Sequence, residues 1–354
     1  MRSMIVAGLG AATALGKRHT TSVAASRAGI RAATQHASMV DQRGAPVVTA
    51  PARWLHDDLA GIDRWVALAR PAAAEAVTMG QGVLRRLGRP ALVLGLPDDR
   101  PGRPQGLDDA IVTTVLQAIP QDVRPTAVEM VRTGSSASTM ALQAAWDLLQ
   151  RGDARCVLVG GVDSLIDADA VEWLDEHDVL HHPATAWGVV PAEAAGFVLL
   201  VADPEGRGPA DRVAVRILAT GSSSQAVEHP PTIRTGHDLT AAFHHALAPL
   251  GPQQTVGRVL CDMAGDPFMA DEYGFSVMRC AERFEDASRL CTPGDRWGHV
   301  GAAAGVLLLA VAYSGWHRGY EHVEHQLSWT GSWAGHRSAA LLHLPSGQEP
   351  SRWA

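Results

Sequence analysis

A chain of 354 residues, 46% hydrophobic and 19% charged, has enough apolar side chain to bury one large α/β domain or two fused halves. The 30 lysines and arginines stand singly or in pairs against 37 aspartates and glutamates, a net charge of −7 that excludes a phosphate-backbone footprint and hence a nucleic-acid partner. No apolar run reaches the roughly 18 residues of a membrane span, and Met4–Ala7 leads into glycines rather than a long signal-peptide core, so a cytoplasmic protein is expected.

In chain order, residues 4 to 8 predict a short strand closed by a turn at Gly8-Leu9-Gly10. Helical spacing over 63 to 77 predicts a helix with Asp63 as its cap and Pro71 as a bend or as its true start. Residues 91 to 95 read as a buried strand, 98 to 105 as a polar loop and 107 to 119 as a second helix. A strand at 128 to 131, a small-residue elbow at Thr133-Gly134-Ser135-Ser136 and an alanine-rich helix over 138 to 150 follow. Such an elbow aims its central side chain at a helix N-terminus, where the dipole favours developing negative charge, and is a natural place for a nucleophile. The strand at 156 to 160 then runs into Gly160-Gly161-Val162-Asp163.

The second part repeats the alternation. Strands are predicted at 197 to 201, 213 to 219 and 259 to 263, and helices at 239 to 250 and, after a glycine turn, 302 to 313. Two halves of similar length, 1–180 and 181–354, point to an internally duplicated α/β fold, with the elbow in the first and the glycine turn in the second.

Cys156, Cys261, Cys280 and Cys291 form no C-x-x-C pair and are expected as reduced, buried thiols. Neither Asp262, Asp266, Asp271 and Glu272 nor the run Glu321-His322-Val323-Glu324-His325 has metal-ligand spacing, and the pairs His181-His182 and His244-His245 carry still less signal. No metal and no cofactor is expected. The ten tryptophans are expected as core or interface anchors.

Five segments in order resemble the β-ketoacyl synthase branch of the thiolase superfamily. They are Val6–Gly16, Ser26-Arg27-Ala28-Gly29-Ile30-Arg31, Val157–Asp163, Pro191-Ala192-Glu193-Ala194-Ala195-Gly196 and Gly298-His299-Val300-Gly301-Ala302-Ala303-Ala304-Gly305. The resemblance implies a thiolase-like five-layer αβαβα fold of two duplicated halves. It also implies a homodimer or heterodimer formed through a strand near the nucleophile, and acyl groups delivered by acyl carrier protein or coenzyme A.

The same resemblance implies a degenerate active site. On the family pattern Thr-Ala-Cys-Ser-Ser, the nucleophile position is Ser135, and a hydroxyl, unlike a thiol, needs an adjacent base. The family's first catalytic histidine falls on Met263 or Ala264 and its lysine on Gly294, while the second histidine remains as His299. The closing glycine-rich loop is reduced to Gly331-Ser332-Trp333-Ala334-Gly335. Ser135 is therefore either a serine nucleophile activated by His299 or a small elbow residue that caps its helix. His299 either serves that chemistry or satisfies nearby carbonyls. Glu193 is expected to hold its turn.

Two functions follow from the resemblance. One is a pseudoenzyme that has lost condensing activity and acts as a scaffold or partner subunit; relatives without the cysteine partner active synthases, and divergent ones occur beside bacterial secretion genes. The other is an acyltransferase or thioesterase-like enzyme that uses Ser135 and His299 on acyl thioesters.

Overall fold

A computed structural model describes residues 3–125, 127–182, 187–203, 214–224 and 234–345. Ten strands form one continuous sheet with two identical halves. In the first, β1 (Ser3–Thr13), β4 (Ala91–Leu96), β5 (Val128–Arg132), β6 (Cys156–Ser164) and β7 (Glu193–Asp203) lie in the order β5-β4-β6-β7-β1. In the second, β8 (Arg216–Ser224), β9 (Arg258–Cys261), β10 (Leu290–Cys291), β11 (His325–Gly331) and β12 (His336–His343) lie in the order β10-β9-β11-β12-β8.

Numbered within its own half, each set reads third, second, fourth, fifth, first. In each, the first three of these run parallel, the fifth antiparallel to the fourth, and the first antiparallel to the fifth. The sets join edge to edge through β1 and β8, at Met4↔Ile217 and Ile5↔Arg216. By strand pairing β7 completes the first set, although it lies after residue 180 in the chain.

The alternation of side chains along the strands separates the layers. Leu92, Leu94, Leu158, Phe197 and Leu199 face an outer layer formed by α2 (Gly61–Met79) and α4 (Leu107–Ala118). Their neighbours Val93, Val157, Val159, Val198 and Leu200 face a middle layer of α5 (Ala137–Arg151) and α10 (Ala304–His317). Leu260, Ala340 and Leu342 of the second set close that middle layer from the other side. Val259, Cys261, Leu327, Trp329 and Leu341 turn outward to α7 (His237–Leu247) and α8 (Pro267–Arg279). Five layers result, with two helices sandwiched between the two sets of strands.

Several sequence expectations change in detail. The expected turn at Gly8–Gly10 is part of β1, because those glycines let α2 lie directly on the strand. A Cβ on Gly8 would stand 2.4 Å from the Ala76 carbonyl oxygen, and one on Gly10 2.0 Å from that of Ala72. Asp63 is not the cap of α2: Ala60 is, without a side-chain bond, and the helix runs on through Pro71. The expected strand at 213 to 219 begins at Arg216, with residue 213 outside the described residues. The hairpin of β2 (Thr34–Val40) and β3 (Pro46–Thr49) was not marked by alternation. Cys156, Cys261 and Cys280 are buried free thiols, whereas Cys291 is only half-buried. No helix among the described residues is long and apolar enough to cross a membrane.

Candidate active site

The elbow after β5 is a tight helical turn over Gly134–Ser136 leading into α5. Gly134 has φ +59, a left-handed conformation that favours glycine, and a Cβ there would press on Ser332 at 3.2 Å and on Asp98 at 3.3 Å. The second half repeats the turn at Gly301–Ala303, before α10, with Gly301 at φ +48. The residues preceding α5 and α10 match as well: Ser136 has φ −81 and ψ −9, and Ala303 φ −78 and ψ −15. The two helix N-termini lie side by side, and the Ser138 hydroxyl of α5 accepts the Gly305 N–H of α10 at 3.0 Å.

Between these N-termini the Ser135 Oγ stands 3.1 Å from His299 Nε2, and both residues are buried. The His299 main chain is pinned, its N–H donating to the Val190 carbonyl at 2.8 Å and its carbonyl accepting from the Ala192 N–H. Burial, its largest influence, lowers the imidazole to about 4, despite the opposing charges of Asp163 and Asp266. At neutral pH the ring is therefore uncharged, the form that accepts a proton.

What a hydrolytic triad needs behind the histidine is a carboxylate, and the one whose charge acts most on the ring is engaged elsewhere. Asp163, at the end of the glycine motif of β6, accepts Arg100 at 2.6 Å and the Ala302 N–H at 2.8 Å, so it caps the turn that carries α10. A Cβ on Gly301 would fall 2.0 Å from its Oδ2. Asp98 flanks the elbow, its carboxyl raised by burial first and by the Asp163 charge second.

The cavity over Ser135 encloses about 80 Å³ and is bounded by Trp173 and Trp333. The Trp333 ring lies 5.0 Å from that of His299 and 5.4 Å from that of Trp173. Arg337 holds the hairpin under Trp333: it makes two bonds to Glu272, at 2.8 and 2.9 Å, and donates to the carbonyls of Ser332 and His336. Drug-sized ligands occupy pockets of about 300–1,000 Å³, so this space takes a few small atoms and not an extended acyl chain.

Two of the degenerate positions also meet. A Cβ on Gly294, which the resemblance aligns with the family's lysine, would stand 2.9 Å from that of Ala264, which with Met263 is one of the two positions aligned with its first histidine. Residues that sequence reasoning did not single out, Asp98, Arg100, Trp173 and the capping role of Asp163, come from segments whose proximity only the fold creates. Glu193 has the expected holding role, binding Arg64 at 2.7 and 2.6 Å and the Ala52 N–H at 2.7 Å.

Among the described residues no group of three or more His, Cys, Asp or Glu could hold a metal ion. Asp266 caps α8, Glu321 pairs with Arg258, and His182 pairs with Asp41 at 3.1 Å.

A pH effect follows. A buried imidazole that titrates near 4, against about 6.5 when unfolded, leaves the unfolded chain binding more protons between those values. Stability is thus fully present above pH 6.5 and declines as pH falls toward 4, by on the order of 3 kcal/mol from this group. His299→Gln is expected to flatten that acid limb in urea unfolding measured from pH 4 to 7; an unchanged limb would refute the assignment.

Residues 126–205 match the family model for the β-ketoacyl synthase N-terminal domain. No curated protein matches the chain. Among solved structures, a chain of the ishigamide ketosynthase/chain length factor aligns over 97% of this chain and 99% of its own, at 18% identity and a TM-score of 0.70. A β-ketoacyl synthase from Burkholderia phymatum STM815 aligns over 97% and 100%, at 14% identity and a TM-score of 0.75. A ketosynthase in complex with its chain length factor, from Xenorhabdus doucetiae, aligns over 97% and 98%, at 15% identity and a TM-score of 0.69.

Proposed function

We propose a role that starts from the fold of the ketosynthases, the thiolase-like architecture expected from the sequence, and from the match of the segment that carries the elbow and β6 to the synthase family model. We propose that this chain is a non-condensing ketosynthase-like subunit that serves as scaffold or partner to a second ketosynthase-like chain. The observation that carries the reading is the small site: about 80 Å³ over Ser135, with Gly294 packed against Ala264 and neither an ammonium at position 294 nor an imidazole at 263 or 264. The first half, 1–180, supplies the hydroxyl and the second, 181–354, the imidazole, so the architecture persists although its chemistry is stripped.

The pairing surface we assign is β5. It ends the sheet next to the elbow, pairs among the described residues only with β4, and leaves Val128, Glu129 and Arg132 exposed. An open edge offers unpaired backbone groups to another strand, and lysine on such an edge blocks pairing. The ketosynthases from ishigamide biosynthesis and from Xenorhabdus doucetiae are described together with chain length factors, which supports a partner of the same fold. The purified chain, alone and co-expressed with a ketosynthase from its own genome, is expected to run at the mass of two chains in light scattering. Val128→Lys should weaken that association by about tenfold or more. A single-chain mass in both experiments would end the proposal.

One observation favours a second reading, acyl transfer: the 3.1 Å contact between Ser135 Oγ and the neutral His299. Acetyl and butyryl thioesters test it. An adduct on Ser135 that disappears in Ser135→Ala would replace the scaffold reading, whereas no adduct is expected from the small cavity.

A further inference from the structure

A cavity of about 710 Å³, some way from the elbow, lies between α1 (His19–Arg27), the second set of strands and the C-terminal end of α10, and shares no lining residue with the space over Ser135. We propose that it is a second binding site, for an amphipathic carboxylate that carries a hydroxyl at the end remote from its anionic group.

Three observations converge. Four guanidinium groups line the cavity, those of Arg27, Arg258, Arg296 and Arg318, against two carboxylates, Asp295 and Glu321. Glu321 is matched by Arg258, its ion-pair partner, and leaving Arg318 aside, Arg27 and Arg296 stand against Asp295, a cationic balance suited to the planar, bidentate recognition of a carboxylate. At the mouth Arg27 lies 3.9 Å over the ring of the exposed Tyr320, which fixes one guanidinium there. The walls are apolar, with Val23, Leu260, Leu290, Val311 and Ala312.

The floor differs from both. Gln326 is 1% exposed and Ser314 5%, yet the Gln326 Oε1 and the Ser314 Oγ have no protein hydrogen-bond partner among the described residues. Leu327 faces α7 and α8, so by alternation Gln326 faces the middle layer, on the side of α10 that carries Ser314. A buried polar atom left unpaired costs about 1–3 kcal/mol, which a ligand hydroxyl reaching the floor would recover. The volume falls within the range of small-molecule sites, about 300–1,000 Å³.

The full chain is titrated with ω-hydroxydecanoate, decanoate and decanol by calorimetry, below their aggregation concentrations. Saturable one-to-one binding of ω-hydroxydecanoate is expected, with decanoate severalfold weaker and decanol at least about tenfold weaker. Arg27→Ala and Arg296→Ala should each weaken binding by about tenfold. Cys291, the half-buried thiol that lines this cavity, reports location: its alkylation by iodoacetamide should slow severalfold when the ligand is bound. The proposal is overturned by absence of saturable binding, by decanol binding as well as the hydroxy acid, or by binding that ignores both arginines and leaves Cys291 alkylation unchanged.

Discussion

Ser135→Cys is expected to restore a thiol to the elbow and no condensing activity. The variant would place sulfur between the N-termini of α5 and α10, whose dipoles favour a thiolate, beside an uncharged His299 in a buried setting that opposes one. Two further functions remain missing, since the positions that the resemblance aligns with the family's lysine and first histidine hold Gly294 and either Met263 or Ala264, none of which carries an ammonium or an imidazole. A positioned acid or base contributes about 10²–10⁴-fold, and one charge-stabilising donor about 10²–10³-fold. The variant should therefore stay at least about 10⁴-fold below a competent synthase. The assay is product formation from an acyl thioester and malonyl-loaded acyl carrier protein. A β-ketoacyl product above background would show that the site is open and complete in a way the geometry denies.

The largest effect on stability is expected at Glu193. Its carboxylate is wholly buried and holds Arg64 through both oxygens, together with the Ala52 N–H and, at 3.2 Å, the Ser164 hydroxyl. Removing one partner of such a pair leaves an uncompensated buried charge, at a cost of about 3–5 kcal/mol. Glu193→Gln and Arg64→Ala are each expected to lose that much in guanidinium unfolding. The double variant Glu193→Leu with Arg64→Met should recover a large part, because an apolar pair of similar volume carries no desolvation penalty. A loss below about 1 kcal/mol in either single variant would mean that the pair is a surface contact in effect.

Sequence reasoning reached the elbow and the histidine turn because both are local. Gly134, Ser135 and the helix after them are consecutive, and so are Gly298, His299 and Gly301, so composition and order alone mark them. It placed Ser135 and His299 in one site, and they lie 3.1 Å apart. It could not see the aromatic wall of the cavity, since Trp173 and Trp333 are far apart in the chain and meet only through the fold. The same holds for Asp163 and Arg100, whose pairing fixes the second turn from the first half. Gly8 and Gly10 misled for the opposite reason: small residues read as a turn locally, while here they make space for the α2 backbone.

The shared middle layer has a consequence for synthesis. Ser138 of the first half secures the start of α10 and Ser136 binds the His336 carbonyl, contacts 167 and 200 residues apart in sequence. Contacts so remote are slow to form, because long loops must close before any of them stabilises the chain. While the ribosome has delivered only the first half, the inner face of α5 has no counterpart to cover it. The nascent protein therefore passes through a period with a broad apolar surface open to water, and its yield in a cell depends on how well chaperones shield that surface until α10 arrives.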